Sequence, residues 1–264
     1  MEYKTIIVNQ DKGVTTVTLN RPEKLNAFSP TMGWEVVDAI TKASTDANCK
    51  VVLFNASGRA FCAGGDVDAD LSQSVALKPK WRAGNDWKFL NTLPHLLRYL
   101  PQPTIVAMHG WCIGIGVSLP LCCDIRFAAE SAKLSLRFVR LGNAPEMGST
   151  WTLPRLVGVS KAIELAITGD TIDAKEALRI GMINRVYPDS EIQAATMEFA
   201  RSIAEGASVS VELIKRGIYM GLTSDFHSAI QYECFAAETV RETEDMVEGV
   251  KAVMEKRKPN FKGR

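Results

Sequence analysis

The sequence predicts an α/β protein in which strands alternate with helices up to about residue 188 and only helices follow. Short apolar, partly β-branched runs recur at Val14–Leu19, at 51–54 and at Thr104–Met108, and read as strands. A turn and then residues at helical spacing follow each run, without the fixed period of a solenoid. From Glu191 the composition changes to helix formers with amphipathic spacing. The expected division is therefore a core over 1–190 and a helical region over 191–264. A chain of 264 residues exceeds the usual domain size, which suits one large domain or a core with an appendage.

In chain order, residues 3–9 and Val14–Leu19 read as a hairpin about Gln10-Asp11-Lys12-Gly13, with Gly13 supplying positive φ. Asn20-Arg21-Pro22 ends it. Ser29 is an N-cap and Pro30 a first helical residue, and Met32, Val36, Val37 and Ile40 keep helical spacing to about Ala43. The strand 51–54 leads into a glycine-rich turn, Ser57-Gly58-Arg59-Ala60-Phe61-Cys62-Ala63-Gly64-Gly65-Asp66. Residues 67–85 are polar and irregular and read as the most mobile part of the chain, the kind of segment that gates a site. A helix over 85–100 is expected to kink or split at Pro94. After Thr104–Met108, Gly110, Gly114 and Gly116 punctuate a second turn. Residues 117–123 then read as a buried helix with Pro120 confined to its first turn.

Strands at 125–128 and 133–136 come next, then helices over 145–157 and 160–168, the second opening on a serine cap. Asp173-Ala174-Lys175-Glu176 is a capping box for a helix to Ile180, with Gly181 at C′. Val186-Tyr187-Pro188 closes that region. Ile192–Ala204, 209–222, 226–239 and 245–256 read as the final helices.

Composition narrows the function. With 31 Lys+Arg against 30 Asp+Glu, nothing suggests a nucleic-acid footprint or a polybasic membrane surface, and a small-molecule partner is expected. The six cysteines form no Cys-x-x-Cys pair and read as reduced and structural. His95, His109 and His227 show no metal spacing, so no metal is expected. The start of the chain lacks a signal-peptide pattern and no apolar run is long enough to span a bilayer; the expectation is a cytoplasmic protein.

The chemistry is expected around residues 104–124, where a strand, a glycine turn and a helix start gather backbone N–H groups suited to a negative charge. A dinucleotide fingerprint is disfavoured because Leu119 stands where a third glycine is needed. A serine nucleophile elbow is disfavoured because Ser118 is followed by Pro120 where glycine is required. On this stretch alone, a plain core turn remains open.

Five motifs carry a resemblance over essentially the whole chain: Leu19-Asn20-Arg21-Pro22 with Leu25-Asn26-Ala27; Arg59 through Asp66; the turn 110–116 with Cys123-Asp124; Leu153-Pro154-Arg155-Leu156-Val157-Gly158; and Ala174 through Gly181. On these the chain resembles the crotonase superfamily of enoyl-CoA hydratases and isomerases. The resemblance implies a crotonase-like spiral of repeated ββα turns and a C-terminal helical region that assembles a homotrimer or a dimer of trimers. It also implies an acyl-CoA substrate, with coenzyme A as part of that substrate and no separate cofactor. By similarity the backbone N–H groups of Gly65 and Ile115 hold the enolate oxygen. Coenzyme A contacts fall on Lys24, Leu25 and Ala27 and on Ala63, Gly64, Gly65 and Asp66. Lys24 and Lys256-Arg257-Lys258 either meet its phosphates or are simply solvated.

Hydratases of this family use two glutamates, and the corresponding positions here are Ser118 and Phe138. Neither can serve as acid or base near neutral pH, which disfavours ordinary hydration. Glu146, in Leu141-Gly142-Asn143-Ala144-Pro145-Glu146, is similar in placement to the base of peroxisomal-type 3,2-enoyl-CoA isomerases. A ring-epoxide isomerase of the family carries an aspartate there. Against a catalytic role, a glutamate after proline at a helix start is favoured by the macrodipole alone.

Asp124 is expected to be structural, Asp66 a turn or cap residue, and Asp68 and Asp70 solvent-facing. His109 is expected to be satisfied beside Gly110. Trp87, Trp111 and Trp151 line an acyl pocket or fill the core. The expected reaction is the shift of a 3-enoyl-CoA double bond to the 2-position. An atypical hydratase, a ring-epoxide isomerase and a non-catalytic acyl-CoA-binding trimer are the alternatives.

Overall fold

A computed structural model describes residues 2–66 and 87–264. The polar segment 67–85, with Asp68 and Asp70, lies outside the described residues. A six-stranded sheet is built from β1 (Ile6–Asp11), β2 (Val14–Leu19), β3 (Val51–Ala56), β4 (Thr104–Met108), β6 (Ile125–Ala129) and β9 (Arg185–Tyr187), side by side in that order. β1 and β2 are antiparallel about the turn at Lys12 and Gly13, both at positive φ; the other pairings are parallel. β4 is buried along its whole length, as an apolar run in a sheet covered on both faces should be. A second sheet joins β5 (Trp111–Ile113), β7 (Lys133–Ser135) and β8 (Thr171–Asp173).

One face of the large sheet packs on α1 (Pro30–Thr45) and α2 (Phe89–Tyr99) in the main core. α1 starts where its sequence says, with Ser29 Oγ accepting the Met32 N–H at 3.2 Å. The opposite face is covered by α7 (Ile192–Ala204), whose Ala200 meets Val14, Val51, Leu53 and Ile105. Between them in sequence come α3 (Ile115–Cys122), α4 (Ser149–Val157), α5 (Val159–Thr168) and α6 (Ala174–Arg179). α8 (Ser208–Gly221), α9 (Phe226–Arg241) and α10 (Glu244–Met254) finish the chain.

The structure corrects several sequence expectations. Of the kink or split expected at Pro94, the split does not occur: the only intrahelical bond it forfeits is to the Leu90 carbonyl, and Phe89, Leu93 and Leu97 hold one continuous helix on the core. Pro120 lies in the second turn of α3, because that helix begins two residues earlier than expected, at Ile115. The stretch 110–116 is not all turn, since Trp111–Ile113 pairs with β7. α5 opens on Gly158 with no side-chain cap, and Ser160 lies inside it. At α6, Asp173 does accept the Glu176 N–H at 2.8 Å, but the Glu176 carboxylate pairs with Arg179 rather than reaching back, so half of the capping box forms. The helix expected from residue 145 starts only at Ser149, since Met147 and Gly148 adopt φ of 52° and 71°.

Candidate active site

The two glycine-rich turns follow β3 and β4 and are pressed against each other. Cys62 N–H donates to the Trp111 carbonyl at 3.0 Å and Ile113 N–H to the Cys62 carbonyl at 2.9 Å, which locks the first turn to β5. Gly116 permits this approach: a Cβ there would lie 2.3 Å from the Cys62 oxygen. Gly114, at φ 55°, turns the chain from β5 into α3, and its N–H donates to Ser135 at 2.9 Å.

The two expected donors lie at this junction. Gly65 is paired with Phe28 in parallel register: Phe28 N–H donates to the Gly64 carbonyl and Asp66 N–H to the Phe28 carbonyl, leaving the N–H of Gly65 itself on the other side. Ile115 is the first residue of α3, where an N–H has no intrahelical acceptor. Among the described residues neither N–H has a protein acceptor. Both turns therefore present a free backbone donor, one at a helix N-terminus.

Glu146 belongs to the same neighbourhood. It is half-buried, and its charge is close enough to Cys62 to help keep that thiol protonated; burial is the larger cause, and together they push Cys62 up to about 12. Glu146 stands three residues before α4 rather than within its first turn, where the macrodipole acts most strongly. Its carbonyl accepts the Ser149 N–H at 3.0 Å and also the Ser149 hydroxyl, and Ser149 Oγ lies 2.9 Å from Ser118 Oγ. Both serines are buried. Position 118 thus braces the backbone that carries Glu146, a link the sequence did not reveal because Ser149 has no motif of its own. Phe138 is buried with its ring against Gly114, an apolar wall of the second turn.

The segment Lys24-Leu25-Asn26-Ala27 is tied to the first glycine turn. Leu25 and Asn26 adopt φ of 51° and 54°, and Ala63 N–H donates to the Leu25 carbonyl at 3.0 Å. Asn26 is fully buried: its Oδ1 accepts the Arg21 N–H at 2.7 Å and its Nδ2 donates to the carbonyls of Ser57 and Ala60, each at 2.8 Å. Arg21 in turn pairs with Asp66 at 2.8 Å and donates to the Ala27 carbonyl at 2.7 Å. Asp66 is thus an ion-pair partner inside the turn rather than only a turn residue. Asn26 and Arg21 organise this corner, and tolerance of left-handed backbone by asparagine is the signal that could have singled Asn26 out. Lys24 is exposed, Leu25, Ala27 and Ala63 are half-buried, and Gly64 is buried. Lys256, Arg257 and Lys258 are exposed at the end of α10, with Arg257 paired to Glu248 and Lys258 to Glu205, both at 2.6 Å.

Other candidates fall away from the junction. Asp124 is structural: it accepts from Thr104 N–H at 2.7 Å and from the Thr104 and Tyr219 hydroxyls, and pairs with Lys215 at 2.8 Å. Burial lowers the Lys215 pKa and Asp124 partly restores it. His109 Nε2 contacts the Gly58 carbonyl at 3.0 Å, while its buried Nδ1 has no partner, so the expectation of a satisfied histidine holds for one nitrogen only. Trp87 packs on Phe89 with ring centroids 5.5 Å apart, Trp111 is largely exposed, and Trp151 lines a groove. That groove, about 810 Å³ in volume, lies between α2, α4 and α8, and Met147 and Gly148, directly after Glu146, are among its walls. Among the described residues no group of acidic, histidine or cysteine side chains could hold a metal ion, and no helix is long and apolar enough to cross a membrane.

An α/β core in which two glycine-rich turns meet, each with a backbone N–H that no protein group accepts, defines the class of protein to which this chain compares. Residues 9–264 match the enoyl-CoA hydratase/isomerase family, and the chain belongs to that family, with the crotonase fold. It is 34% identical over its whole length to 1,2-epoxyphenylacetyl-CoA isomerase of Escherichia coli, with that protein also fully covered. It is 33% identical to crotonyl-CoA hydratase of Syntrophomonas wolfei, covering 99% of each chain. Among solved structures, an enoyl-CoA hydratase of Bacillus anthracis superposes with a TM-score of 0.92 at 35% identity, over 99% of this chain and all of that one.

Proposed function

We propose that the protein is an enoyl-CoA isomerase that moves a double bond from the 3- to the 2-position of an acyl-CoA thioester. Glu146 removes a proton from C2, and the electrons pass through the diene system onto the thioester oxygen. The N–H groups of Gly65 and Ile115 hold that oxygen. Glu146 then returns the proton at C4, so one carboxylate serves as base and acid and no water is added. Lys24, Leu25 and Ala27, with Ala63 to Asp66, bind the coenzyme A portion of the substrate, and no separate cofactor takes part.

The observation that carries this reading is the setting of Glu146, half-buried and electrostatically coupled to Cys62 in the first glycine turn, while positions 118 and 138 hold a serine and a phenylalanine. Ring-epoxide isomerisation is the second reading, favoured by full-length similarity to the E. coli enzyme of that name. Glu146→Gln tests the base. Exchange of the acidic substrate proton for deuterium should disappear while coenzyme A ester binding persists; exchange that survives rejects Glu146. Supplying a 3-enoyl-CoA and a ring epoxide side by side separates the two reactions.

We further propose a homotrimer, or a pair of trimers, held by the apolar side chains that the C-terminal helices leave exposed, including Ile214, Ile218, Phe226 and Val253. Light-scattering mass in solution tests this, and a monomer refutes it.

A further inference from the structure

The groove beside Glu146 contains a cation whose hydrogen-bonding capacity is unused. Arg98, on α2, has its guanidinium carbon 4.1 Å from the ring centroid of Trp151 and 4.1 Å from that of Tyr219. All three residues line the groove. Among the described residues the Arg98 side chain makes no hydrogen bond or ion pair, and none of its guanidinium nitrogens is both sealed from solvent and unpaired.

Its neighbours differ. Lys215, also in the groove, is consumed by Asp124 and by the carbonyls of Leu97 and Gln102. Arg155 stacks on Trp151 but donates to the Trp151 carbonyl at 2.9 Å. The Lys215–Asp124 pair cancels, and of the remaining charged side chains on the walls Arg98 and Arg216 outnumber Glu212.

A guanidinium held flat by aromatic rings keeps its rim of N–H donors free, and that rim matches a carboxylate in bidentate geometry. Position supplies the rest. The groove walls include Met147 and Gly148, and Trp151 stands about one helical turn beyond Gly148, a rise of about 5 Å. On the reading that puts an acyl α-carbon at Glu146, the groove runs from the walls next to it, Met147 and Gly148, to Trp151 and Arg98. We propose that Arg98 binds a carboxylate at the distal end of the acyl group, so that the preferred thioesters are those of medium-length dicarboxylic acids. This rests on the reading of Glu146, Gly65 and Ile115 as an acyl-CoA site.

The test uses saturated esters, which bind without reacting: hexanoyl-CoA and adipoyl-CoA, equal in acyl length and different in one terminal carboxylate. Calorimetric titration of the full-length protein should give adipoyl-CoA roughly tenfold or greater preference, as a charge-assisted bidentate contact implies, and the preference should shrink with added salt. Arg98→Gln should abolish the preference. Arg98→Lys, which keeps the charge and loses the fork, should reduce it severalfold and decides the matter if the glutamine variant does not fold. Equal affinity for the two esters in the parent protein overturns this assignment alone, as does a preference unchanged in either variant. Failure of both esters to bind overturns it together with the acyl-CoA reading.

Discussion

Replacing Gly116 by alanine tests the contact on which the candidate site depends. The added methyl would lie 2.3 Å from the Cys62 oxygen, 3.0 Å from its Cβ and 3.1 Å from its carbonyl carbon. That oxygen cannot simply retreat, because it accepts the Ile113 N–H at 2.9 Å. Overpacking of this kind costs about 1–3 kcal/mol, and a weakened buried hydrogen bond adds about 1 kcal/mol. In a protein of this size the sum corresponds to a melting temperature lowered by roughly 5–10 °C.

The same displacement moves Ile115 relative to Gly65; if, as proposed, their N–H groups hold the thioester oxygen, turnover should fall further than stability, towards the hundred- to thousandfold expected for losing one oxyanion donor. Gly221→Ala is the matched control: nothing lies within 4 Å of its added methyl at the end of α8, and stability should rise by up to about 1 kcal/mol. Scanning calorimetry and kcat/KM with a 3-enoyl-CoA read both effects. If Gly116→Ala matched the parent in both, the two turns could not be in contact as described.

Three further outcomes are expected. Asp124→Asn strands Lys215, whose side chain is 8% exposed, and should cost about 3–5 kcal/mol in denaturant unfolding, with much of the loss recovered in Asp124→Leu combined with Lys215→Met; a cost under about 1 kcal/mol contradicts the pair. Of six thiols only Cys234 is exposed, and burial pushes Cys62 and Cys122 up to about 12, so a disulfide reagent at pH 8 should label one site quickly; fast labelling of Cys62 would mean an open turn. Arg257, then the Asn260 N–H, hold Glu248 down to about 2, below its ordinary 4.5, so its contribution is complete above pH 4.5 and is lost as pH falls towards 2. Amide exchange at residues 257–264 should accelerate across that window, and equal protection at both ends refutes the anchoring.

Elements whose signals are local were legible in the sequence. β2 and α7 have the bounds that their apolar spacing gives, and α1 has the cap that Ser29-Pro30 announces. β5 and β8 were not read as strands, since three residues carry no usable periodicity and exist as strands only through their pairing with β7. The split weighed at Pro94 and the first-turn limit set on Pro120 both failed, because each proline loses one helical hydrogen bond while tertiary packing holds its helix. At the candidate site, the motifs pointed to the two turns that carry Gly65 and Ile115, which the structure presses together. The bracing of Glu146 by Ser149 and Ser118, and of the first turn by Asn26, joins residues up to 34 positions apart and is invisible to spacing.

The strands of the large sheet lie side by side in the order of synthesis, β1, β2, β3, β4, β6 and β9, with only β5, β7 and β8 diverted into the second sheet. A nascent chain can therefore extend the sheet one strand at a time, with no early strand held open for a late one to slip between. Gly65 and Ile115 both leave the ribosome before residue 146, so the two glycine turns can be pressed together while Glu146 is still being made.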